Sequence, residues 1–197
     1  MRKPEITLLT EGFHYNGQFH HYSSVVHIGW YAIRTKVSMN YFPAGSCWDA
    51  WLEIHLKEQS KPLNLKVGAW FFATLRNTQA MCEALFQLYR DLSERTFQFR
   101  LQAYLNQLQT SGFFVYSGYK FYSNGDIVND KNGKVLFNFR KDDLYSTANP
   151  FQLCIRPHTE GFLGGLKSRF GARRIDLELD KDIFCSLLYA VYGLKFD

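Results

Sequence analysis

The feature that most constrains the fold is a turn pattern that occurs twice along the chain. The stretch TEGFHYNGQFHHYSS (10–24) has a Glu-Gly pair, a few extended residues, an Asn-Gly pair and another extended run. The stretch SNGDIVNDKNGKVLFNF (123–139) repeats this order with a longer loop and with Asn124-Gly125 in the place of the Glu-Gly pair. Asn-Gly between extended runs is a strong β-hairpin signal, because both central residues of a type I′ turn need positive φ. The repetition predicts that the same hairpin opens two similar domains.

The repeat can be aligned residue by residue at its glycines. Gly12 matches Gly125, and Gly17 matches Gly133 after the longer loop is allowed for. If Asn16-Gly17 is a two-residue turn, the register follows, because Tyr15 then faces Gln18 and each earlier residue faces the next one along the return strand. The sequence therefore predicts both the position of the hairpin and the pairing of residues across its two strands.

Strands are predicted ahead of a helical segment in the first half of the chain. Alternation with a period of two predicts strands over 6–15, 18–39 with a division near Ser23-Ser24, 47–57 and 63–72. The period then changes. Apolar residues recur at steps of three and four, at Met81, Leu85, Leu88 and Leu92, which predicts an amphipathic helix with Asn77 as its cap. We expect the three leucines of this stripe to be buried against the first sheet.

The second half repeats this order. Segment 93–111 carries a rotated apolar stripe, so we expect a second helix there, or one helix broken near Ser93. Strands resume after Gly112, and a short helix follows, with Asp180 as its cap and Gly193 as its end. The fold class predicted is α+β: two antiparallel β-sheet domains, each closed by a C-terminal amphipathic helix and joined by a helical segment. The predicted boundaries are 1–92 and 113–197 for the domains and 93–111 for the helical connector.

The stretch ITLLTEGFHYNGQFHHYSSVVHIGWY (6–31) resembles the opening of bacterial pleckstrin-homology-like (PH-like) domains. The resemblance covers 5–92, extends weakly to 113–197, and so suggests two such domains in tandem. It implies binding of lipids, peptides or neighbouring subunits rather than catalysis. Lipid-binding members hold phosphoinositide with basic residues in the first hairpin loop, where this chain has Glu11 and Asn16-Gly17. This departure from the family pattern argues against phosphoinositide binding of the familiar kind.

The positive charge of the chain is spread thinly except in one loop. The 197 residues carry a formal net charge of +5, without the dense basic stripe typical of nucleic-acid binders. The exception is GGLKSRFGARR (164–174), which has four cations and no acid. Its glycines and cations make it a candidate site for an anion such as an anionic lipid or nucleic acid, although a charged run of this kind is more often a solvated hairpin loop between two strands. The cations are Lys167, Arg169, Arg173 and Arg174.

No catalytic, metal or cofactor site is predicted. The four cysteines lie far apart without a C-x-x-C pair, which argues against zinc and against a disulfide scaffold and favours a reduced, cytoplasmic protein. Cys154 and His158 would lie roughly 13 Å apart on one strand, beyond hydrogen-bond reach. His14 and His21 share a strand face but only diagonally, while His20 points the other way. We also expect no signal peptide and no transmembrane segment.

Three function classes remain open at this point. The first is a non-catalytic interaction or scaffold module with a protein partner. The second is binding of anionic lipid or nucleic acid through loop 164–174, and the third is an enzyme of unrecognised type. The aromatic groups GWY (29–31) and CWDAW (47–51) are interpreted as core or cross-strand packing rather than as a platform for a ligand.

Overall fold

The fold is that of a computed structural model, which describes residues 6–39, 42–67, 78–142, 144–148, 152–157, 173–177 and 179–194. Within these ranges the chain is a mixed α+β protein with several antiparallel sheets and two helices. It divides into two compact units, Met1–Arg100 (unit 1) and Leu101–Asp197 (unit 2). In the described part of the chain, no helix has the length and apolar character needed to cross a membrane.

Unit 1 contains two three-stranded antiparallel sheets, in the orders β1-β2-β3 and β4-β5-β6. The strands are β1 Ile6–Leu8, β2 Gly12–Tyr15, β3 Gln18–His21, β4 Val25–Met39, β5 Phe42–Leu56 and β6 Leu63–Val67. The prediction of one strand over 6–15 is wrong, because the chain reverses and pairs Leu8 with Phe13. The backbone N–H of Leu9 donates to the Gly12 carbonyl across this reversal at 2.8 Å. The predicted division near Ser23-Ser24 is confirmed by a short 3-10 turn between β3 and β4.

The Asn16-Gly17 hairpin forms in the predicted register. Both turn residues have positive φ, 51° and 87°, as a type I′ turn requires. Tyr15 faces Gln18 and His14 faces Phe19 across the pair. Local backbone preference therefore sets the pairing of β2 and β3.

The core of unit 1 is built from the inner faces of its sheets and the first half of helix α1 (Thr78–Ser111). Leu85 and Leu92 of this helix are buried, whereas Leu88 is half-buried. The expectation that all three are buried is therefore confirmed for two of them. The other buried residues of this core are Phe13, Tyr22, Val25, Ile28, Ala50, Leu52, Ile54, Leu56, Leu65 and Cys82.

Helix α1 is continuous over 34 residues, so the predicted break near Ser93 is wrong. The buried stripe of the helix continues through Ser93, Thr96 and Arg100, which are polar. The Arg100 guanidinium donates from Nη2 to the Ser93 hydroxyl at 2.8 Å and from Nε to the Thr96 hydroxyl at 3.0 Å. These hydrogen bonds satisfy the polar groups of three buried side chains, whose burial without partners would cost free energy.

Unit 2 has a four-stranded sheet, β10-β9-β8-β7, and a three-stranded sheet, β11-β12-β13, all antiparallel. Its strands are β7 Phe113–Tyr116, β8 Tyr119–Tyr122, β9 Asp126–Asn129, β10 Val135–Asn138, β11 Leu144–Ala148, β12 Gln152–Pro157 and β13 Arg173–Asp176. Phe114, Phe121 and Phe184 form its aromatic core, with Phe114 and Phe121 stacked at 5.0 Å. The Tyr116 ring stacks on Phe184 at 3.9 Å.

The hairpin of unit 2 that has the same turn geometry as the β2–β3 hairpin lies earlier in the chain than the alignment of Gly17 with Gly133 predicts. Ser117 and Gly118 form the two-residue turn between β7 and β8, with φ of 48° and 79°. Gly133 also has positive φ, 66°, but it lies in the longer connection between β9 and β10. The two-residue turn of β2–β3 therefore recurs at 117–118.

Helix α2 (Lys181–Tyr192) ends unit 2 as predicted, and its inner face buries Ile183, Phe184, Leu187 and Leu188. The predicted stop is confirmed, because Gly193 has φ 73° and its N–H donates to the Tyr189 carbonyl. Asp180 occupies the predicted cap position, but its side chain makes no cap hydrogen bond. It accepts a hydrogen bond from the Tyr104 hydroxyl at 3.2 Å instead. The predicted cap at Asn77 lies outside the described residues.

Candidate functional site

Unit 1 has a pocket of about 270 Å³ between β4 and the start of α1. Most of its lining is apolar, and the polar groups come from two residues of the helix. The lining residues are Trp30, Ala32, Gln79, Cys82, Glu83 and Phe86.

Simple periodicities place these side chains together. On β4, Ile28, Trp30 and Ala32 alternate onto one face, and Ile28 is buried in the core while the other two are half-buried against it. On α1, the steps of three and four from residue 79 to residue 86 bring its four lining residues to one side of the helix. The pocket therefore lies where the core face of β4 continues past the buried part of the helix.

The walls of the pocket are aromatic. The Trp30 ring lies 5.4 Å from the Phe86 ring at an interplanar angle of 52° and 6.1 Å from the Tyr89 ring at 24°. Two rings of α1 thus hold the indole in position, and aromatic pairs of this kind add to burial energy. The Phe86 side chain nevertheless keeps 43% of its surface exposed. An apolar pocket with a partly exposed aromatic wall is a candidate binding site.

The base and the rim of the pocket differ in polarity. Cys82 is buried in the core, and this burial, with a smaller effect of the Glu83 charge, raises the pKa of its thiol. A raised pKa keeps the thiol protonated at neutral pH, which disfavours it as a nucleophile. At the exposed rim, the Gln79 side-chain amide donates to Glu83 Oε1 at 2.9 Å. The site can therefore take an apolar group, with one carboxylate at its mouth.

The basic loop falls largely outside the described residues, which include neither Lys167 nor Arg169. Arg173 is the first residue of β13 and pairs with Ile155 through the backbone. Arg174 is exposed, and its carbonyl accepts a hydrogen bond from the Tyr119 hydroxyl at 3.4 Å. The anion site at 164–174 stays a prediction.

The histidines of the first hairpin lie on the faces of the strands that the register predicts, with His20 on the opposite face from His14 and His21. His20 is buried with its ring 5.4 Å from Phe13, and its Nε2 has no hydrogen-bond partner among the described residues. Burial, and secondarily the charge of His14, lowers the pKa of His20. Among the described residues, no group of three or more His, Cys, Asp or Glu side chains is placed to hold a metal ion.

The aromatic residues of β4 and β5 have two roles: some pack against each other across the strands, and one lines the pocket. Tyr31 stacks on Trp51 across the strands at 4.9 Å and 15°, so the interpretation as cross-strand packing is confirmed for this pair. Trp30 has a second role as a wall of the pocket, which sequence reasoning missed. Phe86 was the available signal, because it lies off the predicted apolar stripe of the helix and so needs another apolar partner.

Comparison with known protein families, with curated proteins and with solved structures finds no match to this chain.

Proposed function

We propose that this chain is a non-catalytic interaction module, and that a protein partner inserts one apolar side chain into the Trp30 pocket. The observation that carries the proposal is the pocket itself. Its base joins the core at Cys82, and its wall at Phe86 is held against Trp30 yet exposed. A preformed apolar recess of this kind suits an anchor residue, since interface energy concentrates in side chains that fill such pockets.

The size of the pocket favours a side chain over a cofactor. Sites for small molecules usually enclose about 300–1,000 Å³ and place a few polar groups where they fix the orientation of the ligand. The Trp30 pocket has about 270 Å³, and its polar lining comes from Gln79 and Glu83 at the rim. A leucine or phenylalanine side chain needs no more than such a space and no polar partner within it.

The PH-like arrangement in tandem and a cytoplasmic location belong to the same proposal. In favour of the first, antiparallel strands precede a helix in each unit, which is the order that the resemblance implies. In favour of the second, Cys82, Cys154 and Cys185 are free thiols, as expected in a reducing compartment.

Site-specific photo-crosslinking in the native host tests the proposal. The photoreactive residue p-benzoylphenylalanine replaces Phe86 in one variant and Phe99 in the other. Both are exposed phenylalanines of α1, and Phe99 does not line the pocket. We expect a discrete protein adduct from position 86 that position 99 does not give.

A second change shows whether that adduct depends on the pocket. Ala32→Leu adds volume inside the recess and should abolish the adduct at position 86, with thermal unfolding recorded to show that the variant folds. If Ala32→Leu does not fold, Gln79→Trp at the exposed rim narrows the same opening. The proposal is wrong if positions 86 and 99 give the same adducts, or if the adduct persists when the pocket of a folded variant is filled.

A further inference from the structure

We infer that the partner segment carries a lysine or arginine next to its apolar anchor, and that Glu83 recognises this cation at the mouth of the pocket. The inference rests on the proposed function and deepens it, because it names the chemistry of the partner. It commits to a basic protein segment rather than to an acidic or purely apolar one.

The placement of the Glu83 carboxylate carries the inference. Glu83 is exposed and lines the pocket together with the apolar residues. The hydrogen bond from Gln79, one turn earlier on α1, restrains this carboxylate at the rim. An ordered carboxylate loses less conformational freedom when it pairs with a cation than a freely rotating one does.

The rest of the lining decides where the cation of the partner must lie. Of the apolar lining residues, Cys82 is buried in the core and Ala32 is half-buried against it, and neither offers a group to pair with a buried ammonium or guanidinium. A charge placed there without a partner would be costly. An apolar side chain therefore fills the base, and the cation belongs to a neighbouring residue of the partner that stays at the solvent-exposed rim.

The charge at the mouth is not set by Glu83 alone. Arg34 lies two residues beyond Ala32 on β4, and its side chain is exposed. Its charge opposes that of Glu83, so the preference for a basic partner should be modest and should depend on Glu83 specifically. A test therefore needs Glu83 changed by itself.

Three small peptides measure the preference on the full chain: acetyl-lysyl-leucine amide, acetyl-glutamyl-leucine amide and acetyl-lysyl-alanine amide. Binding is followed by NMR through the indole N–H of Trp30, which is assigned by its loss in Trp30→Phe. We expect the lysyl-leucine peptide to bind about two- to fivefold more tightly than the glutamyl-leucine peptide, the range for one exposed ion pair. Glu83→Gln should reduce this ratio to one or below, because the opposing charge of Arg34 then remains, and Glu94→Gln, on the same helix outside the lining, should leave it unchanged.

The outcomes separate the inference from the function on which it rests. Equal binding of the lysyl-leucine and glutamyl-leucine peptides to the parent chain overturns the inference alone, as does a preference that survives Glu83→Gln. Equal binding of the leucine and alanine peptides, or no response from Trp30 to any of them, overturns the proposed function as well. A ratio that falls in raised salt supports the inference, because screening shortens the range of exposed charges.

Discussion

The sharpest test of the fold is truncation of Leu92, because the structure buries this side chain more completely than that of Leu88, one turn earlier on the helix. Leu92 is fully buried, at 0% exposure, whereas Leu88 is half-buried against the same core. Both lie on α1 in unit 1 and both become alanine, which is at least as good a helix former as leucine. A difference between the two variants therefore reports on packing rather than on helix propensity.

The magnitudes follow from how much of each side chain is sealed from water. Leu92→Ala should lower the free energy of unfolding by about 2–5 kcal/mol, since it loses transfer energy and leaves a cavity in a packed core. Leu88→Ala should cost about 1 kcal/mol, because transferring a whole leucine is worth about 1.5–3 kcal/mol and this one is only partly buried. The loss of unfolding free energy should therefore be at least about 1 kcal/mol larger for Leu92→Ala than for Leu88→Ala.

Urea unfolding followed by far-UV circular dichroism and by tryptophan fluorescence measures both variants. The midpoint should fall while the dependence on denaturant stays unchanged, and the two signals should coincide. The reasoning is refuted if Leu92→Ala costs less than about 0.5 kcal/mol, the level of an exposed site, or if Leu88→Ala costs more than Leu92→Ala.

Three further predictions address the first hairpin and the basic loop. Gly12→Ala should destabilise by about 1–3 kcal/mol or more, because its Cβ would lie 2.2 Å from the His20 carbonyl oxygen of the facing strand; thermal unfolding measures this, and a neutral effect contradicts it. Because the pKa of His20 is lowered in the folded chain, the unfolded chain binds a proton at this residue more readily than the folded chain does. The contribution of neutral His20 to stability is therefore complete above the ordinary pKa of 6.5 and is lost as the pH falls below 6.5. His20→Phe should flatten that acid loss in urea titrations between pH 7.5 and 5, and an unchanged slope would rule out His20 as its source. Replacing the four cations of loop 164–174 with glutamine should abolish retention on heparin or anionic vesicles without changing thermal stability, if the loop is an anion site; retention equal to that of the parent chain refutes the site.

The sequence alone determined the features that depend on local backbone preference. The turn at Asn16-Gly17 and the register of its two strands follow from the positive φ of both residues. The end of α2 at Gly193 follows in the same way, since a glycine adopts the left-handed conformation there without a steric penalty. The alternating strands that precede a helix were likewise visible as a change of period, so the α+β class was predictable.

Tertiary structure decided the features that depend on partners distant in sequence. Helix α1 continues through Ser93 because Arg100 satisfies Ser93 and Thr96 within a buried polar stripe, which a search for apolar periodicity does not count. The side chain of Asp180 bonds to Tyr104, 76 residues away, rather than capping its own helix.

The candidate site belongs to the same class of features. Trp30 and Phe86 are far apart along the chain and meet only because α1 packs on the inner face of β4. Their patterns in sequence, a strand tryptophan and a helical phenylalanine off the stripe, are each compatible with ordinary packing. A recess is a property of the space that two packed elements leave between them, and that space is set by contacts of both elements with the core rather than by either segment.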